Sequence, residues 1–241
     1  MNEVRGKFHQ ELRDLEGEVL RVGDEAADMV GRAVRALVKR DDELARGVIA
    51  SDDVVDRLYL DIERRILDAF ALQAPVASDL RLLSTMLHIN LHLERIGDQA
   101  VNVSKMSLAA RALPSDETIM LHLTEMGDIV GAMLRTALEA FARRDLDLCM
   151  RLPAMDDPVD ELNRGMYRHV VRLSDDAAAL EWGIRMNVVA RQMERVGDNA
   201  VDIGEQVAYL LTGEFREFTD ASHREGSSAS FAEGEHGDER P

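Results

Sequence analysis

The sequence predicts an all-α protein: two tandem, pseudo-symmetric three-helix bundles, six long helices in all. Three observations carry this. Apolar residues recur every three or four positions along most of the chain. Aromatics make up only 4% of it, while Leu, Ala, Val and Met are plentiful, a bias that suits helix packing better than a β-sandwich. The second half repeats the first.

The first helix is placed at Val4–Arg40, with Leu12, Leu15, Val19, Val22, Ala26, Met29, Ala33 and Leu37 as its stripe. The second, Asp42–Leu72, carries Val55, Tyr59, Ile62, Ile66 and Ala69, and Ser51 marks a candidate break. The third runs from Pro75 to Arg111 through Leu82, Met86, Ile89, Leu93, Ile96, Ala100 and Val103. Pro114-Ser115-Asp116-Glu117 reads as a start signal, with Ser115 as cap and carboxylates at the positive end of the dipole. The fourth helix then buries Ile119, Leu123, Met126, Val130, Met133, Ala137 and Ala140. The fifth restarts at Asp157-Pro158, and its stripe is Val159, Leu162, Met166, Val170 and Leu173. Ser174 or Asp175 caps the sixth, which carries Trp182, Met186, Val189, Met193, Val196, Ala200, Ile203 and Val207 to Gly213.

The duplication is explicit. A shift of 100 lays Glu94-Arg95-Ile96-Gly97-Asp98 on Glu194-Arg195-Val196-Gly197-Asp198, and Asp28-Met29-Val30-Gly31 on Asp128-Ile129-Val130-Gly131. Between them a shift of 104 pairs Asp52 with Asp156 and Asp56 with Asp160. Four residues are about one helical turn, so a helix end absorbs the difference without changing face. The units are residues 1–112 and 113–213. Residues 214–241, with eight acidic and three basic side chains among Gly and Ser, read as a disordered tail.

The formal net charge is −17 over 241 residues, which argues against nucleic-acid binding and against docking on anionic lipid. The single cysteine, Cys149, allows no internal disulfide and fits a reducing compartment. No stretch approaches the length of a membrane span or a signal peptide, so the expected location is cytoplasmic.

The chemistry lies in the acidic residues. On a helical wheel Glu94, Asp98 and Asn102 fall in one line opposite the core stripe, as do Glu194, Asp198 and Asp202. Asp52 and Asp56 flank the second helix's stripe, and Asp156 and Asp160 the fifth's. If the second and third helices of each half are neighbours, four carboxylates converge. Such a set suits hard cations such as Mg²⁺, Ca²⁺ or Mn²⁺, and also iron. A single such pair reads as a solvated acidic face; recurrence on matching helices sets a metal site level with that reading. Gly97 and Gly197, costly inside a helix, suggest close helix approach. His88 and His92 could ligate zinc but have no counterparts at Val188 and Gln192, and read as satisfied histidines. Neither a phosphate-binding Gly-rich loop nor a nucleophile–base motif is present. Leu80, Leu83, Leu87 and Leu91 give the third helix a second apolar face, to be covered by the other half or by a second subunit.

The doubled Glu-Arg-Ile/Val-Gly-Asp motif resembles the PhoU family of bacterial phosphate uptake. So do Ala77-Ser78-Asp79-Leu80-Arg81, Asp53-Val54-Val55-Asp56 and Ala140-Phe141-Ala142-Arg143-Arg144-Asp145. The resemblance spans about residues 5–215, in order. It implies a PhoU-like fold and a cytoplasmic homodimer. It also implies an adaptor between the ATPase subunit of the phosphate ABC transporter and the phosphate-sensing histidine kinase. Such an adaptor restrains uptake and starvation signalling when phosphate is ample. Some members hold iron or zinc clusters on the acidic motifs, and manganese or magnesium would also suit the donors. By position Asp52, Asp56, Glu94 and Asp98 would serve one site, and Asp156, Asp160, Glu194 and Asp198 the other. Asn102 replaces the carboxylate found at Asp202, which implies weaker binding at the first. The reading from a different class is a metal-dependent hydrolase using the same carboxylates.

Overall fold

The computed structural model describes residues 2–218. Six helices make up nearly all of this span: α1 Asn2–Lys39, α2 Asp42–Gln73, α3 Ala77–Ala109, α4 Glu117–Arg143, α5 Leu146–Val171 and α6 Ala177–Thr212. Among the described residues there is no strand. The stripes are the core: Leu15, Val19 and Val22 of α1, Ile62 and Ile66 of α2, and Met86, Ile89 and Leu93 of α3 are all fully buried. So are Leu123 and Met133 of α4, Val159 and Met166 of α5, and Met186 and Val189 of α6.

Four aspartates start helices. Asp41, Asp116, Asp145 and Asp176 each sit in extended conformation and accept backbone N–H groups of the first turn. The caps of α4 and α6 are therefore Asp116 and Asp176, not Ser115, Ser174 or Asp175. Asp116 and Asp176 hold the last extended backbone position before each helix, from which the carboxylate meets both the free N–H groups and the positive dipole end. Two expected interruptions are also absent. α2 passes through Ser51, whose hydroxyl donates to the Gly47 carbonyl at 3.0 Å. α5 passes through Pro153 and Pro158. Each proline removes one ladder donor, while Leu152 and Asp156 stay packed on Gly204 and Gly197 of α6 and Val159 stays buried.

α1–α3 form one bundle and α4–α6 the other, and the two join through α3 on α6 and α1 on α4. The α1–α4 crossing is reciprocal. Gly23 lies under Leu138, and a Cβ on Gly127 would stand 2.8 Å from the Val34 side chain. Glycine at both points lets the backbones approach. These pairs exchange under a shift of 104, not 100. The same shift pairs buried Leu15 with Ile119, Met29 with Met133 and Leu37 with Phe141, and the left-handed Arg40 with the left-handed Arg144. The Asp28/Asp128 match was thus one turn out of register. The offset changes once, at the corner between the second and third helix of each half, where α2 is longer than α5.

Residues 214–217 have no regular secondary structure, but the chain stays attached to the bundle. Gly213 takes φ +77° and turns the backbone, the Phe218 N–H donates to Glu205 Oε1 at 2.6 Å, and Phe218 packs on the core. The rest of the expected tail, 219–241, lies outside the described residues. Cys149 is buried, its Sγ 3.3 Å from the Asp145 carbonyl, and burial pushes the thiol up to about 11. That is an inert packing thiol.

Candidate functional site

The second and third helices of each half are neighbours, as the convergence of carboxylates required. In the first half Asn90 Nδ2 of α3 donates to the Tyr59 carbonyl of α2 at 2.9 Å. In the second, Asp156 of α5 stands directly over Gly197 of α6. Asp52, Asp56, Glu94 and Asp98 thereby form one acidic ridge, and Asp156, Asp160, Glu194 and Asp198 the other. Their mutual repulsion shows in their proton affinities. Burial first, then Asp56 and Asp98, hold Asp52 above its ordinary value. Burial, then Asp98 and Asp56, do the same for Glu94. The second ridge is further displaced. Asp156 rises to about 7, through burial and then Asp198, Asp160 and Glu194. Asp198 rises to about 6, through burial and then Glu194, Asp160 and Asp202.

The wheel placed Glu194 outward and Asp156 on the flank of its stripe, yet both are buried. Asp156 is 9% exposed and Glu194 8%, because α5 lies close enough along α6 to cover both. Gly197 makes this possible: a methyl there would collide with Asp156 Oδ1. Gly97 is different, since a Cβ there would rest 3.5 Å from Val55, an ordinary contact. Close approach thus explains one glycine of the pair. Asp98, Asp198 and Asn102 are exposed as expected, and Asp202 is partly so.

Two oxygens in the second ridge, Asp156 Oδ1 and Glu194 Oε2, are buried without a hydrogen-bond partner. Arg191 pairs with Glu194 through Oε1, and Arg164 lies 3.5 Å from Asp160. Buried acceptors without donors are what a cation would satisfy. The donor chemistry therefore fits a hard or borderline ion. Among the described residues, no three His, Cys, Asp or Glu side chains stand as they lie in a set that could hold one ion. Closing on a cation would require the exposed Asp198 and the half-buried Asp160 to swing inward.

His92 is satisfied, as expected, but its partners lie across the bundle boundary: Nδ1 is 2.9 Å from Asn199 Oδ1 and 3.5 Å from Asp202 Oδ2. His88 is exposed. At the matching place in the first ridge, Asn102 Nδ2 donates to Gln192 Oε1 at 3.5 Å. Sequence reasoning also passed over Lys105, which lowers the proton affinity of Asp52. The shift of 100 would have found it, because it pairs Lys105 with Glu205.

Comparison with known proteins decides the family. The PhoU domain matches at residues 19–107 and again at 123–207, one copy per bundle. The chain belongs to the PhoU family. A phosphate-specific transport system accessory protein PhoU homolog of Clostridium acetobutylicum is 31% identical over 87% of this chain and 96% of its own length. A PhoU homolog 1 of Thermotoga maritima is 33% identical, over 86% of the chain and 89% of itself. The crystal structure of PhoU from Pseudomonas aeruginosa superposes with a TM-score of 0.82 at 31% identity, covering 86% of this chain and all of that one. That of the phosphate transport system regulatory protein PhoU from Streptococcus pneumoniae gives 0.79 at 26%.

Proposed function

We propose that this PhoU-family chain is a non-enzymatic accessory protein of phosphate-specific transport. It works as a cytoplasmic adaptor that restrains phosphate uptake and starvation signalling. The partners that fit are the ATPase subunit of the phosphate ABC transporter and the phosphate-sensing histidine kinase. The observation that carries the reading is the family match in both bundles, with relatives named for phosphate transport aligned over nearly their whole length. An adaptor also accords with a chain in which no described helix is long and apolar enough to cross a membrane.

The acidic ridges bind iron, zinc, manganese or magnesium in this reading, supported by the unpartnered oxygens of Asp156 and Glu194. Nothing favours the hydrolase alternative over the adaptor. A cleft of about 660 Å³ opens between Leu146, Met150, Ala208 and Phe218, and no ridge carboxylate lines it. A homodimer is the assembly proposed, through the α3 face at Leu80, Leu87 and Leu91.

Deleting the gene tests the adaptor. The expected result is constitutive expression of phosphate-starvation reporters and excess uptake in phosphate-rich medium, both corrected by the wild-type chain. Reporters and uptake that stay unchanged would sink the reading.

A further inference from the structure

The two halves share a fold, so the places where the duplication fails mark what one half does alone. Under the shift of 104 the start of α5 lies on the start of α2, and Leu146 and Met150 fall on Asp42 and Arg46. In the first half that corner is closed by charge. Asp42 pairs with Arg46 at 3.6 Å and with Arg111, just beyond the end of α3. In the second half the same corner is apolar and open: Leu146 is 38% exposed and Met150 58%. With Pro153 they form one wall of the cleft of about 660 Å³, and Ala208, Thr212 and Phe218 line the rest. Leu146, Met150 and Pro153 follow one another at spacings of four and three. That wall therefore runs along α5 for about 10 Å, two turns of a helix laid beside it.

The opposite wall is tied down. Gly213 turns the backbone, the Glu214 N–H donates to Thr212 Oγ1 at 3.2 Å, and the Phe218 N–H donates to buried Glu205. A wall fixed before binding lowers the entropy cost of filling the cleft, and an exposed methionine adapts to whatever side chain enters. The mouth is acidic. Glu214 and Glu217 line it, and among the described lining residues the one cation, Arg216, is already paired with Glu214 at 2.6 Å. Asp147 stands exposed next to Leu146.

We propose that this cleft is the docking groove for a basic amphipathic helix of a partner protein. Its apolar side chains, at i, i+3 or i+4 and i+7, enter between Leu146, Met150 and Phe218, and its flanking Lys or Arg residues meet Glu214, Glu217 and Asp147. This names the surface through which the adaptor works and rests on that reading. The chain's own residues 219–241 start at the edge of the cleft, but they carry six acidic and two basic side chains and would meet the mouth with like charge.

The test adds a labelled synthetic helix, Leu on one face and Lys on both flanks, to the full chain, and follows its anisotropy. A Leu/Glu twin is run beside it. Leu146→Asp/Met150→Arg copies the first half's corner. It adds one charge of each sign, so the net charge stays −17 and non-specific attraction for the Lys helix is unchanged. An aspartate also suits the first turn of α5, so circular dichroism should show full helix content. Wild type should bind the Lys helix, more weakly as salt rises, and reject the Glu twin. The double variant should bind at least about tenfold more weakly, as loss of central apolar anchors entails. Met150→Gln, a milder lesion, should move the same way, and Phe231→Ser should change nothing. In a strain lacking the gene, the double variant should fail to restore the repression of phosphate-starvation reporters that wild type restores. Equal binding of the Lys helix by wild type and double variant would overturn the groove. So would full correction of the deletion by a variant that no longer binds the helix. Tighter binding by Phe231→Ser would give the cleft to the chain's own C-terminal segment and overturn the partner. Wild type that fails to correct the deletion would sink the adaptor reading, and the partner with it, while the peptide titration still decides the groove.

Discussion

At the scale of single residues, Asp156 carries the largest consequence. Its pKa of about 7 in the folded chain stands against an ordinary value of 3.8. The native state therefore holds this proton more tightly than the unfolded chain does. The stabilisation is complete below the unfolded value and is lost as pH rises through the folded one. A shift of this size corresponds to on the order of 2–4 kcal/mol, shared with the neighbouring carboxylates. Asp156→Asn removes the ionisation and keeps the shape. With chelator present, wild type should lose stability between about pH 5 and about pH 8. The variant should lose much less and be the more stable protein at the upper end. Denaturant unfolding at the two pH values reads this directly, and parallel losses would refute it. Nothing in the sequence distinguished Asp156 from Asp52. Both sit four residues before a second aspartate on matching helices, and only the distance between α5 and α6 sets them apart.

At the scale of helices, that distance is governed by Gly197. Replacing it with Ala drives a methyl into Asp156 Oδ1, so α5 and α6 must separate or the carboxylate must leave its place. Gly197→Ala should cost about 1–3 kcal/mol, the usual price of overpacking. Gly97→Ala should be neutral or stabilising by up to about 1 kcal/mol, since its methyl meets Val55 at ordinary contact distance and the helix gains propensity. Thermal unfolding of the two variants side by side should order them so, and equal effects would show that the ridges share one packing after all. Periodicity made the six helices legible, because each buries one stripe. It left caps and register less so. Ser115 and Asp116 are both good caps, and only backbone conformation chooses. A slip of four residues along α1 and α4 returns the same face, so a chance Asp-x-Val-Gly match was enough to misplace the repeat by a turn. The carboxylate lines were legible from spacing, whereas their burial depends on helix–helix distance, which no spacing encodes.

At the scale of the whole molecule, the bundles pair about a pseudo-two-fold: Gly23 under Leu138 answers Gly127 under Val34, and His92 with Asp202 answers Gln192 with Asn102. The folded chain covers the second apolar face of α3 only in part. Thr85, His92 and Asn102 meet α6 on one flank. On the helical wheel Leu80, Leu87 and Leu91 fall within about 20° of Asp98, on the outward line of the first ridge that Asn102 continues. Leu83 of the same group is buried, but Leu80 is 46% exposed and Leu87 and Leu91 are only half-covered. The chain itself buries Leu83 and packs part of Leu87 against its core, which leaves Leu80 and the open sides of Leu87 and Leu91 for a second copy to cover. A charge at the centre of a buried apolar patch is strongly unfavourable, whereas on a half-exposed helix face it is tolerated. Leu87→Glu should therefore leave the fold and helix content intact and shift the solution mass from dimer to monomer, with apparent stability becoming independent of protein concentration. Light scattering and unfolding at two protein concentrations would measure both. A variant with unchanged mass and stability would mean that this face is simply solvated, and that any dimer forms elsewhere on the bundle.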